Sequence, residues 1–232
     1  MNILAPEILY EDNHLIIVNK PFNVLAQGDE TGDSTIGDSV KAYIKEKYNK
    51  PGEVFLGIVH RIDRPVSGVL IMARTGKALE RMSQLFKDKS VKKTYWAITK
   101  NKPPQPSGTL THYLWKDSKQ RKSYAYTHPY KEAKLCTLDY SLLLSSDHYH
   151  LLEINPHTGR HHQIRVQLST MGCPIKGDIK YGAERTNREG YIHLHARSVT
   201  FMHPVKKEWI TVTAPVPNDS LWQWFEQQKS LQ

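Results

Sequence analysis

Short apolar runs, rich in β-branched and aromatic residues and closed by turn-forming residues, recur along most of the chain, and they constrain its fold more than any other feature. Runs of this kind are typical of β-strands. Two of them flank an Asp12–Asn13 turn and end at Pro21, which cannot donate a ladder hydrogen bond. Further strands are predicted in the segments EVFLGIVH, GVLIMAR, KKTYWAITK, GTLTHYLWK, KLCTLDYSLLLSS, HYHLLEINP, YIHLHARSVTFMHP and EWITVTAP.

Helical periodicity is confined to four segments. Apolar residues recur at helical spacing from Ile36 to Ile44, and again in GKALERMSQLFKDK, where Thr75 suits the helix N-cap. A third helix is predicted to begin at Thr158 or Gly159 and to run through RHHQIRVQLSTMG, and a short fourth lies in DSLWQWFEQQ. Because helices do not alternate regularly with strands, the sequence predicts one α+β domain over residues 1–232. Its central sheet is mixed and mostly antiparallel, with flanking helices, and one face or cleft stays open to a ligand.

The charge balance indicates an anionic partner. There are 32 Lys and Arg residues against 23 Asp and Glu residues, so the formal net charge is +9. Such a basic balance favours nucleic acid as a partner. Simple solubility is the alternative explanation, since a basic surface does not by itself require a charged ligand.

Cysteine usage and the N-terminal residues predict the compartment. Cys136 and Cys173 form no CxxC pair, which argues against a disulfide scaffold or a four-thiolate zinc site. The opening residues MNILAPEILYEDNH carry acids where a signal peptide needs a basic region followed by an apolar one. No apolar run approaches the ~18 residues of a membrane span. We therefore expect a reduced, cytoplasmic compartment and no membrane association.

Asp63 is the first candidate for chemistry, because it stands between Arg61 and Arg64 in the segment VHRIDRPVSG. An aspartate in a tight connection is most often a turn residue that binds its own backbone. Two guanidinium groups close by, however, favour the ionised carboxylate and can bind phosphate through paired hydrogen bonds. An ionised carboxylate can act as a nucleophile or as a base. The segment therefore predicts a reactive carboxylate beside a polyanionic substrate.

A second basic cluster lies in HTGRHHQIRVQLSTMGCPIKGD, residues 157–178. Gly159 precedes the predicted helix, whose N-terminus could receive a phosphate. Arg160 and Arg165 would lie one or two turns apart on that helix, and an ordinary solvated basic face is the alternative. Since the positive end of the helix dipole disfavours cations, we predict that these charges face an anion. The anion is either a partner phosphate or a carboxylate such as Asp63.

The histidines raise the question of a metal site. His157 and His161 are four residues apart, His161 and His162 are adjacent, and His193 and His195 alternate on a predicted strand. The HExxH pattern of zinc proteases is missing, and the predicted helix begins after His157. We therefore predict no metal, and we assign most of these histidines to nucleic-acid contacts or to the hydrogen-bond network of the site.

The strand KKTYWAI supplies an aromatic candidate. Alternation places Lys93, Tyr95 and Ala97 on one face, and Trp96 on the other. A half-buried strand tyrosine is common and needs no function. Aromatic residues among lysines are also frequent in proteins that bind nucleic acids, where they stack on bases. Tyr95 is therefore either an ordinary strand aromatic or a residue that stacks on a base and holds its hydroxyl near the reacting atom.

Four segments, taken together in this order and spacing, resemble the RluA-type RNA pseudouridine synthases. They are ILYEDNHLIIVNKP, HRIDRPVSGVLIMART, KTYWAI and HTGRHHQIRVQLSTMGCPIKGDIKYG. The resemblance runs from about Glu7 to Pro215, which is nearly the whole chain. It implies a mixed α+β fold whose long central sheet is split by a basic cleft. It also implies a cofactor-free isomerase that converts uridine in RNA to pseudouridine after flipping the target base out of its stack.

The resemblance also assigns roles to residues. The family's essential aspartate maps onto Asp63, the arginine that enters the RNA stack onto Arg61, the active-site tyrosine onto Tyr95, and the arginine that pairs with the acid onto Arg165. The residues predicted to bind substrate beside Arg61 are His60, Arg64, Arg160, His162 and Gln163. The predicted partner is structured RNA, either ribosomal or transfer RNA, bound by a monomer.

Three positions depart from the family pattern. Val66 and His161 stand where the family usually has Thr, and Ile62 replaces a usual Leu. Many relatives carry an N-terminal RNA-binding module of the S4 type, and the early first strand predicts a chain without it. Two other functions stay open: a catalytically inactive RNA-binding or assembly factor on the same fold, and a hydrolase acting on glycosidic bonds or through a metal. A two-carboxylate glycosidase would need a second acid nearby.

Overall fold

The computed structural model describes residues 5–231 and has the predicted α+β architecture. The chain divides into two compact units. The first unit comprises the chain up to Lys92 together with Ala196–Pro215, and the second comprises Lys93–His195 together with the chain from Val216 onward. The expectation of one catalytic domain over residues 1–232 stays a prediction.

The sheet of the first unit has the strand order β1-β2-β4-β10, with β3 added beside β4 and β11 beside β10. The β1–β2, β2–β4, β3–β4 and β10–β11 pairs are antiparallel. These strands are β1 Glu7–Glu11, β2 Leu15–Lys20, β3 Gly57–Ile58, β4 Ser67–Ala73, β10 Leu194–Met202 and β11 Trp209–Thr213, and the first two residues of β10 belong to the second unit.

Two capped helices complete the first unit. Helix α1, Ile36–Lys47, starts with a capping box in which Thr35 and Asp38 satisfy each other's backbone N–H groups. Helix α2, Gly76–Lys87, has Thr75 as its N-cap, as predicted, and the Thr75 hydroxyl accepts the N–H of Ala78. The apolar face of α2 packs on the sheet in a core that includes Leu15, Ile17, Val69, Ile71, Met82 and Phe201.

The second unit is built on five strands in the order β5-β9-β8-β6-β7, and all four neighbouring pairs are antiparallel. Hairpin connections between close antiparallel strands explain why this part of the chain reads as strand after strand with few helices. The strands are β5 Lys92–Thr99, β6 Ser107–Asp117, β7 Lys122–Tyr126, β8 Lys134–Ser145 and β9 His150–Pro156.

Two helices and one 3₁₀ turn belong to the second unit: α3 Gln163–Thr170, α4 Ser220–Ser230 and the turn Ile179–Tyr181. Asp219 caps α4 by accepting the N–H groups of Leu221 and Trp222. The buried Trp222 and Phe225 of α4 pack against Trp96 in an apolar cluster. Between residues 5 and 231, no helix is both long enough and apolar enough to cross a membrane.

The structure corrects three details of the predicted secondary structure. Helix α3 begins at Gln163, so the prediction of a start at Thr158 or Gly159 is wrong. His162 has a left-handed backbone (φ 54°), which a right-handed helix does not accommodate, and the residues before it form a turn. The segment EVFLGIVH forms strand only at Gly57–Ile58, and strand β7 within QRKSYAY was not predicted.

Candidate active site

The Asp63 loop connects β3 and β4 in the first unit and is held by its own backbone. The Asp63 carbonyl accepts the N–H of Val66 at 3.0 Å, which closes a turn with Arg64 and Pro65 at its centre. The carbonyl of the next residue, Arg64, accepts the N–H of Asn23 at 2.8 Å. Backbone hydrogen bonds at Asp63 and at the next residue therefore fix the main chain that carries the partly buried Asp63 side chain.

The buried Lys20 hydrogen-bonds to the backbone of the same loop. Lys20, at the end of β2, has no exposed surface, and its Nζ donates to the carbonyls of Pro21 (2.9 Å), Val24 (2.8 Å) and Arg64 (3.2 Å). Burial lowers the pKa of Lys20 to about 7, while the negative charge of Asp63 opposes that shift. The Lys20 ammonium is thus both a structural tie to the Asp63 loop and an electrostatic neighbour of its carboxylate.

Arg61 and Arg64, the two arginines beside Asp63, are exposed, and Arg64 makes contacts within the protein. Arg64 pairs with Asp33 through Nη1 at 2.8 Å and donates from Nε to the carbonyl of Asn23 at 3.2 Å. Both side chains of the Arg64–Asp33 pair are about half exposed, so an incoming phosphate can compete with Asp33. The predicted contacts of Arg61 and Arg64 with RNA stay predictions.

His60 is integrated into the first unit. Its Nε2 accepts the N–H of Ile71 at 3.1 Å, so this nitrogen carries no proton in that arrangement. Its ring stacks on Phe86 of α2 with a centroid distance of 4.8 Å. These contacts orient the first residue of the HRID segment, and a direct contact of His60 with substrate stays a prediction.

Arg165 forms a bidentate ion pair with Asp178 in the second unit. Nε of Arg165 donates to one carboxylate oxygen at 2.6 Å, and Nη2 donates to the other at 2.8 Å. The side chains are only 7% and 1% exposed, so the pair is desolvated and geometrically fixed. This partner was not predicted from the sequence, while the predicted pairing of Arg165 with Asp63 stays a prediction.

Tyr181 organises the surroundings of Arg165. Its ring lies 5.1 Å from the Arg165 guanidinium carbon. Its hydroxyl oxygen accepts the N–H of Ser123 at 2.8 Å and lies 2.7 Å from Nδ1 of His162. Burial raises the pKa of Tyr181, so the hydroxyl stays protonated and can donate to His162. The Tyr181 hydroxyl therefore links its own 3₁₀ turn to strand β7 and to the start of α3.

Gln163 holds the turn that precedes α3. Its Oε1 accepts both the Arg160 N–H at 3.0 Å and the Thr158 hydroxyl at 2.8 Å, while its Nε2 donates to the Thr137 carbonyl at 3.0 Å. The amide is buried and hydrogen-bonded within the protein, and the predicted contact of Gln163 with substrate stays a prediction. This arrangement leaves the Arg160 side chain exposed, where the predicted contact with a phosphate is sterically possible.

Tyr95 lies on β5 opposite Ile154 of β9 and is partly exposed. Lys93 lies two residues earlier on the same face, and burial lowers its pKa. Its Nζ reaches the Gly159 turn, since a Cβ built on Gly159 would lie 3.9 Å from it. Tyr95, Lys93 and the turn before α3 thus belong to one surface of the second unit.

The histidines have protein partners instead of a shared ligand. His157 Nε2 lies 2.7 Å from the Asp139 carboxylate, and the buried His193 Nε2 lies 3.2 Å from that of Asp219. His161 stacks on His162 with centroids 3.7 Å apart. Over the described part of the chain, no group of three or more His, Cys, Asp or Glu side chains is placed to hold a metal ion.

Three residues were missed at the level of the sequence: Lys20 in the first unit, and Asp178 and Tyr181 in the second. Each lies in a segment that was noticed, NKP for the lysine and GDIKYG for the other two. The detectable signal was a charged residue directly after an apolar strand, and an acid following the basic α3 segment. Both suggest a buried charge that needs a partner, but neither identifies that partner.

Comparison with known proteins identifies the family. The family model of RNA pseudouridylate synthases matches residues 14–170, which include the Asp63 loop, Tyr95 and Arg165. The chain belongs to the RNA pseudouridylate synthase family. The family resemblance and the isomerase activity predicted from the sequence are thereby confirmed, and pseudouridine synthases of this family act on RNA.

Relatives of this pseudouridine synthase match three quarters or more of its length. The ribosomal large subunit pseudouridine synthase C of Rickettsia prowazekii is 36% identical over 217 residues, which are 93% of this chain and 69% of that protein. The ribosomal large subunit pseudouridine synthase D of Borreliella burgdorferi is 37% identical over 178 residues, 75% of this chain and 54% of that protein. The chain thus spans one half to about two thirds of the length of these relatives.

The structural comparison supports the same fold. The solved structure of human RNA pseudouridylate synthase domain containing 4 superposes with a TM-score of 0.78 at 25% sequence identity, covering 96% of this chain and 93% of that one. Human RNA pseudouridylate synthase domain containing 1 has the same fold, with a TM-score of 0.73. The predicted fold class is confirmed.

Proposed function

We propose that this chain converts specific uridines of ribosomal RNA to pseudouridine, with Asp63 as the reactive carboxylate. The observation that carries the proposal is the fixed Asp63 loop in a chain that retains the HRID, KTY and HQIR segments of its family. Relatives named as ribosomal large subunit synthases favour ribosomal RNA. Transfer RNA is the alternative substrate, and the enzyme is proposed to act as a cytoplasmic monomer without a cofactor.

The reaction requires little beyond one carboxylate. The C1′–N1 bond breaks, the freed uracil rotates, C1′ joins C5, C5 loses its proton and N1 gains one. An ionised Asp63 can start this sequence either as a nucleophile at C1′ or as a base at C2′. Tyr95 is proposed to relay the C5 proton. No electrons are exchanged, so the balance needs no oxidant or reductant.

The remaining residues bind and orient the RNA. A uridine inside structured RNA becomes accessible only when it leaves the stack, and the exposed Arg61 is proposed to fill its place. Arg64 and Arg160, both exposed, are proposed to bind phosphates, since guanidinium groups match phosphate geometry. Arg165 is proposed to orient Asp63, while Asp178 holds the Arg165 guanidinium in place.

The test is tritium release from ribosomal RNA that carries uridine labelled at C5. Wild-type protein should release tritium, and Asp63→Asn should release none while binding the RNA as tightly as wild type. Asp88→Asn is the matched control: it lies on the surface at the end of α2 and should behave as wild type. Normal release by Asp63→Asn would exclude Asp63 as the reactive group. RNA binding without release by the wild type would indicate an inactive RNA-binding factor, and release from transfer RNA alone would change the substrate.

A further inference from the structure

The hairpin formed by β6 and β7 carries a row of aromatic side chains on one face. Trp115 lies directly opposite Tyr124 in the register, and Tyr113 lies opposite Tyr126. Because residues two apart share a face of a strand, these four side chains lie on the same side of the hairpin. Tyr130, from the following loop, stacks on Tyr126 with a centroid distance of 4.1 Å.

The opposite face of this hairpin packs against the protein core. Leu114 is buried with Val166 and Tyr181 in an apolar cluster, and Ala125 packs against the same cluster. The aromatic side is only half-buried at every one of its positions. Large aromatic rings grouped on the face that points away from the core indicate a surface that a partner covers.

Positive charge is interleaved with these rings. Lys131 Nζ lies 4.8 Å from the centroid of the Trp115 ring and 5.0 Å from that of Tyr130. Lys122 Nζ lies 5.5 Å from the centroid of Tyr124. The stretch 113–134 contains six Lys or Arg residues and two acids, and the carboxylate of one acid, Asp117, accepts two backbone N–H groups of its own turn. The surface is therefore both aromatic and basic.

We propose that this aromatic hairpin surface, formed by Trp115, Tyr124, Tyr126, Tyr130, Lys122 and Lys131, binds an unpaired segment of the substrate RNA by stacking on its bases. Aromatic rings among cations match single-stranded RNA, whose bases offer flat faces and whose phosphates offer negative charge. An apolar protein partner would gain little from the lysines placed over the rings. The proposal extends the proposed function, because it names how the same enzyme holds RNA away from the target uridine.

Hydrogen bonds join this surface to the candidate active-site residues of the same unit. Ser123 lies between Lys122 and Tyr124, its N–H donates to Tyr181, and its hydroxyl donates to the carbonyl of His161 at 2.7 Å. Lys122 Nζ also lies 5.6 Å from the centroid of the Tyr181 ring, which contacts Arg165. The core face of the hairpin therefore packs directly against the segment that carries Arg165.

The binding test uses a fluorescent oligouridylate of about twelve nucleotides, within the usual range of single-strand sites. Trp115→Ala should weaken its binding about five- to 150-fold, the range that corresponds to removing one base-stacking aromatic. Trp115→Phe should restore most of the affinity because a planar ring remains. Trp209→Ala is the matched control, since Trp209 is an exposed tryptophan on β11 of the other unit.

Two further measurements separate stacking from phosphate contacts. An abasic ribose-phosphate strand of the same length should bind wild type and Trp115→Ala equally. Lys131→Gln should reduce the slope of log affinity against log salt by about 0.7, as expected for one phosphate contact on a single strand. Lys229→Gln, which removes a lysine placed over the buried Trp96 of another cluster, should leave the slope unchanged.

The outcomes distinguish this proposal from the proposed function. On full ribosomal RNA, Trp115→Ala should raise KM with little change in kcat, since it removes binding that does not depend on the reaction step. If wild type is an active isomerase but Trp115→Ala binds oligouridylate as wild type does, the surface proposal is wrong and the function stands. If wild type is inactive and Trp115→Ala still weakens RNA binding, the surface proposal stands and the proposed function fails. Equal weakening on the abasic strand would also overturn stacking.

Discussion

The substitution Asp178→Asn probes the buried ion pair behind the predicted active-site arginine. Asn has nearly the same shape as Asp, so the change removes charge with little change in packing. The Arg165 guanidinium, whose side chain is only 7% exposed, would then lack its carboxylate. Leaving one member of a buried pair uncompensated costs about 3–5 kcal/mol. Since the Asn carbonyl can still accept one of the two hydrogen bonds, we expect a loss near ~3 kcal/mol.

Urea unfolding, followed by circular dichroism, measures this loss. Asp139→Asn provides the matched control, because the Asp139–His157 pair is of similar length but its side chains are about half exposed. An exposed pair contributes only about 0–1 kcal/mol, so the control should unfold close to wild type. The midpoint for Asp178→Asn should fall clearly below both, at an unchanged denaturant slope.

A second comparison separates charge burial from shape. Replacing both partners, as in Arg165→Met with Asp178→Leu, should recover stability relative to Asp178→Asn, because no buried charge remains. The double variant should nevertheless be inactive if Arg165 orients the reactive carboxylate. Equal midpoints for Asp178→Asn and Asp139→Asn would refute the reasoning, since the pair would then contribute no more than one on the surface.

Two other predictions follow from the first unit. The pKa of Lys20 is lowered to about 7, so between about pH 7 and 10.5 the unfolded chain binds a proton that the folded chain has released. The free energy of unfolding of the wild type should therefore rise by up to roughly 5 kcal/mol over this pH range. Urea unfolding at a series of pH values should show this rise, and Lys20→Met should abolish it. Gly68 has φ +113°, and a Cβ there would overlap the Ala196 carbonyl oxygen and lie 2.7 Å from the Ala196 nitrogen. Gly68→Ala should therefore lower the free energy of unfolding by about 4 kcal/mol or more, whereas Gly28→Ala, with open space around it, should change it by no more than ~0.5 kcal/mol. Thermal unfolding measures both, and similar melting temperatures for the two variants would contradict this reasoning.

Local signals were sufficient for most of the secondary structure. Thr75 was predicted as an N-cap and caps α2, because a cap depends on residues within one helical turn. The strand pair around Asp12–Asn13 was also predicted correctly, since hairpin turns are encoded by adjacent residues. The α3 boundary was wrong because the Gln163 side chain binds Thr158, Arg160 and Thr137 at once, and Thr137 is 26 residues away.

By itself the sequence determined the alternation of strands and helices, the family and the residues to test, since periodicity, caps and motif order are all written in short stretches of chain. Only the tertiary structure decided which distant groups meet. Lys20 reaches the carbonyl of Arg64, 44 residues later, and Arg165 finds Asp178 across a turn. The physical reason is that a charged residue beside an apolar segment can be recognised in the sequence as one that requires a partner when buried. Which partner lies within hydrogen-bonding distance is determined only by the folded structure.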